Sequence, residues 1–204
     1  VPDAFHDLLA TLVRDEDDVL GDMMRCAVQW FDRILVLDGT DDEARHRRTS
    51  DILSSFPEVV YVARDADVLG DRPTRDGARQ ILLDEARRRY GTEQWIGVLH
   101  ADEFMDQDPR PMLAAHNPLL DPTIRIRLVH AFLHTDDEAS WRSDPDAYMS
   151  LSIRDRVSHV MWPGVPETRF FFDRGLRDYP LAHHSKTVPI SFRAGPLVDG
   201  FSVV

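Results

Sequence analysis

Residues 8–100 alternate short apolar runs with helix-patterned segments, and this alternation constrains the fold more than any other feature. Leu8–Val13 reads as a buried strand. Asp15-Glu16-Asp17-Asp18 then supplies an acidic helix start, and Val19, Met23, Ala27 and Trp30 fall on one helical face. Arg33–Leu37 is β-branched and apolar, a second strand, and Asp38-Gly39-Thr40-Asp41-Asp42 reads as a turn followed by a helix cap. A polar helix to about Ser54 leads into the Val59–Val62 strand. Asp71–Thr74 is expected as a loop, Arg75–Tyr90 as a helix stopped by Gly91, and Trp95–Leu99 as a fourth strand. Strands alternating with helices predict an α/β fold with a mainly parallel sheet flanked by helices.

The second half reads differently. Ile124–Val129 alternates apolar and polar residues, as a half-exposed strand does. Val157–Trp162, Arg169–Phe172 and Ala182–Val188 read as further short strands separated by Pro and Gly. Pro111–His116 reads as a short helix and Thr135–Asp146 as an acidic loop. No repeat or low-complexity linker divides the chain, so residues 1–204 are expected as one domain. Within it, residues 1–108 would bind the ligand and residues 109–204 would complete the other side of the site.

Composition narrows the function classes. Acids outnumber bases 36 to 24, for a net charge of −12, which disfavours nucleic acid and anionic membranes as partners. Lys186 is the single lysine, so the other basic residues are all Arg; a coding bias accounts for that better than anion binding does. One cysteine, Cys26, allows neither an intramolecular disulfide nor a Cys-based zinc site. No apolar run reaches the length of a membrane span, and no signal peptide is visible. A cytoplasmic enzyme or small-molecule binder is the expectation, and self-association as a homo-oligomer stays open.

Carboxylates sit just past three of the strands: Asp15/Glu16, Asp38/Asp41/Asp42 and Asp102/Glu103. Open α/β sheets bind ligands beyond the carboxyl ends of their strands. Like charges gathered there are costly unless a cation or ligand compensates. His100 and Asp102 lie two apart, so on extended chain both would point one way and address one metal or one ribose.

These segments resemble family 2 glycosyltransferases of the GT-A fold. The resemblance lies in Val13-Arg14-Asp15-Glu16, Trp30–Asp42, Ala78-Arg79-Gln80 and Trp95–Phe104, the last matching a segment with a DXD motif. It covers residues 8–108 and thins beyond, where Pro166-Glu167 and Leu181-Ala182-His183-His184 match a His-Glu…His ending loosely. Two positions depart from the pattern: Asp15 stands for Asn, and His100 stands for the first Asp of DXD. The resemblance implies a nucleoside-diphosphate sugar donor, an acceptor of unspecified chemistry, and Mn or Mg as cofactor. Asp15, Glu16, Asp38, Asp41, Arg79, His100, Ala101 and Asp102 would then line the donor site. Asp102 and His100, with His183 or His184, would hold the metal, and Glu167 would be the general base of an inverting transfer. A nucleotidyltransferase is the rival enzyme, but it would need a Gly-rich basic loop after the first strand, where this chain is acidic. A catalytically idle nucleotide-sugar-binding subunit is the rival from another class, and His100 is the feature that suggests it.

Overall fold

The computed structural model describes residues 8–64, 67, 77–105, 107–132, 134–151, 153–157, 159–179, 189 and 196–203. The four expected strands of the first half form as β1 Leu8–Val13, β2 Arg33–Asp38, β3 Val59–Arg64 and β4 Gln94–His100. β1, β2 and β4 are buried almost throughout, which is why they read as continuous apolar runs. Between them lie α1 Leu20–Ala27, α2 Glu43–Ser54 and α3 Ala78–Tyr90. Asp42 caps α2, its carboxylate accepting from the Arg45 N–H at 2.8 Å. Gly91 ends α3 with φ of 77°, a left-handed value that favours glycine.

The Asp15–Asp18 segment does not cap α1. Val19 holds the cap position, no side chain bonds there, and the Glu16 carbonyl accepts from the Val19 and Leu20 N–H groups instead. α1 also ends at Ala27, short of Trp30.

One seven-stranded sheet runs through both halves in the order β3-β2-β1-β4-β6-β5-β7. β3, β2, β1 and β4 are mutually parallel. β6 His159–Asp173 joins β4 and β5 Thr123–Phe132 antiparallel, and β7 Leu197–Val203 joins β5 parallel. The sheet is therefore mixed, with its parallel part in the first half. The two strands expected at Val157–Trp162 and Arg169–Phe172 are one strand, β6, running through Pro163, Gly164 and Pro166. A register shift in its pairing with β5 absorbs Pro163 and Gly164, whereas Pro166 pairs with Arg127. The expected Ala182–Val188 strand and the Asp71–Thr74 loop lie outside the described residues.

Thr135–Asp146 is not a loop. It folds as α5 Thr135–Ser143 and the start of α6 Pro145–Ser150. His134 and Asp137 form a reciprocal capping box on α5, and Asp144 caps α6, so polar caps start two helices whose apolar faces are weak. The four-residue α7 Ile153–Arg156 follows, and Arg156 pairs with Asp22 on α1. α4 Arg110–Ala115 forms close to the expected Pro111–His116.

Two cores pack on the sheet's two faces. Leu9, Val13, Ile34, Val36, Trp95, Leu99 and Phe170 pack with α1, and Leu8, Ala10, Leu35, Leu37, Ile96, Val98 and Phe171 pack with α3. Among the described residues, no helix is long and apolar enough to cross a membrane.

Candidate functional site

The parallel registers set the site. Val13 pairs with Asp38 and Leu12 with His100, so β1, β2 and β4 end at one level. The chain steps outward from β1 to β2 and β3, then returns to the opposite flank of β1 with β4. That reversal is a topological switch point, the place where open α/β sheets bind their ligands. Residues 14–16, 39–42 and 101–103 leave the sheet there.

At the end of β1, Asp15 adopts a left-handed backbone, φ 62°, unusual for a residue other than glycine. Its N–H donates to Thr40 Oγ1 at 3.2 Å and its carbonyl accepts from Arg45 Nη1 at 2.7 Å, so the β2 side clamps the strained turn. Its Oδ1 is buried and, among the described residues, has no hydrogen-bond partner. The neighbouring Glu16 accepts from the Arg14 N–H. Burial, and then the charges of Asp102 and Asp15, push its carboxyl up to about 7.

Asp38 is fully buried rather than presented to a ligand. Its Oδ1 accepts from the Thr40 N–H at 2.8 Å and its Oδ2 lies 2.6 Å from His46 Nδ1. It shares the strand face of Ile34 and Val36, so its side chain points into the α1–α2 layer and braces the β2–α2 loop. Direct contact with base or ribose does not fit that placement. Asp41 is exposed and pairs loosely with Arg14 at 3.5 Å. Thr40 and His46 were not singled out from the sequence; a polar residue two beyond the strand end and a His in the first turn of α2 are weak signals.

β4 ends at His100 and the chain turns, with the Glu103 N–H donating to the His100 carbonyl at 3.1 Å. His100 and Asp102 are therefore not successive residues on one side of an extended strand. His100 faces α3, where its Nε2 accepts from Arg79 Nη2 at 3.3 Å. Burial, then Arg79 and Arg169, pull its pKa below the ordinary value, so the ring is neutral near pH 7. Ala101 is buried in the apolar core, which leaves its side chain no ligand role. Asp102 is exposed at the tip of the turn.

The second half contributes from β6. Glu167 is partly exposed, and its Oε2 lies 3.1 Å from Arg169 Nη2. Its charge is felt at His100, Arg79 and Glu103, so tertiary pairing brings it to the same end of the sheet. Arg169 is 2% exposed and also donates to Glu103. Burial pushes the Glu103 carboxyl up, and Arg169 works against that. Arg169 is a residue that sequence reasoning did not assign, beyond noting that it stands near Glu167.

The expected metal set is Asp102 and His100 with one of His183 and His184. Among the described residues, no three His, Cys, Asp or Glu side chains converge on a point that could hold an ion. His100 Nε2 is committed to Arg79 and is not a ligand in this arrangement. His183 and His184 lie outside the described residues. What fits a hard cation is the oxygen chemistry at the tips: Asp102 open to solvent, and Glu16 pushed up partly by that neighbour's charge.

No protein-family model matches the chain, and a search of curated proteins finds no match. Among the solved structures that resemble it are the following three. An apo structure of the bifunctional glycosyltransferase WbbM matches at 13% identity and a TM-score of 0.41, over 62% of this chain and 24% of that one. The galactosyltransferase LgtC, in complex with donor and acceptor sugar analogs, matches at 10% and 0.37, over 71% and 52%. An active-site mutant of LgtC matches at 12% and 0.37, over 65% and 48%. The chain thus spans from 24% to 52% of the length of these structures.

Proposed function

We propose that this chain transfers a glycosyl group from a nucleoside-diphosphate sugar to an acceptor hydroxyl, with inversion. The observation that carries the reading is the level ending of β1, β2 and β4 at the switch point. It supports a donor site at Asp15, Glu16 and Asp102, which follow β1 and β4, with Glu167 reaching the same sheet end from β6. The finer assignment, to the family 2 type, rests on the motifs at Val13–Glu16, Trp30–Asp42, Ala78–Gln80 and Trp95–Phe104.

In this reading Asp15 and Glu16 face the nucleoside. The unpartnered Asp15 Oδ1 accepts from an N–H or hydroxyl of that group. Asp38 acts indirectly, holding Thr40 and through it the Asp15 turn. Arg79 meets the diphosphate, and its bond to His100 aims the guanidinium. Mn or Mg would sit at Asp102 and the donor phosphates, beside Glu16. When bound it stabilises the negative charge that develops on the departing diphosphate. Glu167 takes the acceptor's proton, the acceptor oxygen bonds to the anomeric carbon, and the bond from that carbon to the diphosphate oxygen breaks. Base catalysis of this kind contributes about 10²–10⁴-fold.

Calorimetry with UDP-, GDP- and dTDP-sugars, each with and without Mn²⁺, tests the reading. Binding of at least one donor is expected, tighter with Mn²⁺, together with nucleoside-diphosphate release. Absence of binding by folded protein in every condition overturns it. Binding without release under any metal favours the idle binding subunit. Asp102→Asn is expected to abolish the Mn²⁺-linked gain, and an unchanged gain removes Asp102 from this role.

A further inference from the structure

We propose that Arg169 is a positioning residue that locks Glu167 to the loop leaving β4. The β4–β6 ladder runs from Gln94 against Asp173 to Gly97 against Phe170 and then stops. Arg169 is the next residue on β6, at the place where the two strands part. On the other side, Ile124 pairs with Phe170 and Arg125 with Thr168, so Arg169 is the extra residue of a β-bulge. Bulges of this kind re-aim a side chain beside a site.

The side chain spans the gap that the ladder leaves. Arg169 Nη2 donates to Glu103 Oε1 and, at 3.1 Å, lies against Glu167 Oε2. Glu103 Oε2 accepts from the His100 N–H at 2.9 Å. One unbroken chain of contacts therefore runs from Glu167 through Arg169 and Glu103 to the backbone at the end of β4. Stability alone does not account for it. A buried ion pair is a poor stabiliser unless its hydrogen bonds are all met. Arg169 Nε and Nη1 are buried and, among the described residues, have no partner. What the arrangement does accomplish is orientation: one guanidinium nitrogen, Nη2, faces two carboxylates from two halves of the chain.

The proposal rests on the reading of Glu167 as the base, and its test separates the two. Arg169→Lys keeps the charge but, with a shorter side chain and no guanidinium, loses the fixed placement of the nitrogen that meets both carboxylates. Release of nucleoside diphosphate from UDP-, GDP- and dTDP-sugars is measured together with amide hydrogen exchange. The kcat of Arg169→Lys is expected to fall by about 10–10²-fold with donor KM within about twofold, as loss of orientation without loss of binding requires. Arg169→Gln is expected to fall further, and the His100 amide to exchange faster in both while β2 amides hold. An unchanged kcat, or a rise in KM alone, in a folded Lys variant overturns the proposal. Should the wild type release no nucleoside diphosphate, the glycosyl-transfer reading fails by itself. Hydrogen exchange then still decides whether Arg169 holds the β4 loop: unchanged His100 exchange in folded Arg169→Lys overturns that too.

Discussion

The two halves of the chain are built by different rules. In residues 8–100 every strand is short, parallel and bounded by a helix, and its neighbours lie on either side of β1. In residues 108–203 the strands are long, bulged and antiparallel to β4 or to one another, apart from β7. The first half presents the acids Asp15, Glu16 and Asp102 on loop tips, whose position follows from where a strand ends. The second half presents Glu167 and Arg169 from within a strand, so their position follows from which strand pairs with which. A group on a tip is placed by local sequence, and a group on a strand by a partner far along the chain.

The seam between the halves is β4 against β6, and the strongest way to break the comparison is there. Phe170 is fully buried and reaches across to β4. Phe170→Ala is expected to cost about 3–5 kcal/mol in urea unfolding. A single transition followed by both far- and near-ultraviolet dichroism shows that the halves fold as one. A second transition, with the parallel half surviving, shows that they do not.

Gly97 tests the same seam from the other strand. A Cβ there would lie 3.0 Å from Phe170 Cε1 and 3.3 Å from Phe31 Cε1. Gly97→Ala is therefore expected to destabilise by about 1–3 kcal/mol, less than the Phe170 cavity, with the loss read as a lower urea midpoint. A neutral result would mean that the aromatic rings yield and the seam is loose.

Glu16 offers a smaller effect, confined to the first half. Its folded pKa, about 7, lies above its ordinary 4.5. Between those values the folded state keeps a proton that the unfolded state has lost. Stability from this group is thus highest below about pH 4.5, falls as pH rises, and levels off above about 7. Glu16→Gln is expected to match the wild type near pH 4.5 and to exceed it at pH 8 by roughly 1 kcal/mol, after discounting for partial exposure. Parallel pH profiles for the two proteins would refute the burial of Glu16 beside Asp102 and Asp15. The exposed Glu138–Arg142 pair on α5 is the control: Glu138→Ala is expected to change stability by no more than about 0.5 kcal/mol.

The carboxylates at the ends of β1 and β4 were legible because an apolar run followed by acids has a local meaning in an α/β chain. Asp38 was legible as a strand end but not in its direction. That it turns inward depends on Thr40 and His46 reaching its two oxygens. His100 and Asp102 were read as sharing one side of an extended strand, and a turn one residue earlier sent them apart. The His134–Asp137 capping box was not legible, because histidine is not among the residues that ordinarily cap a helix. Arg169 carried no usable local signal. Its meaning comes from a bulge, and a bulge exists only when two strands are paired.

By itself the sequence determined the α/β class, the four parallel strands and the acid-bearing tips. Those depend on apolar periodicity and turn chemistry within a dozen residues. Tertiary structure alone decided that β6 is one strand seated between β4 and β5, and that Glu167 and Arg169 meet the β4 loop. The physical reason is the range of the interaction. Burying an apolar run is encoded in the run, whereas a strand's register and the aim of a side chain on it are set by residues roughly 70 positions away along the chain.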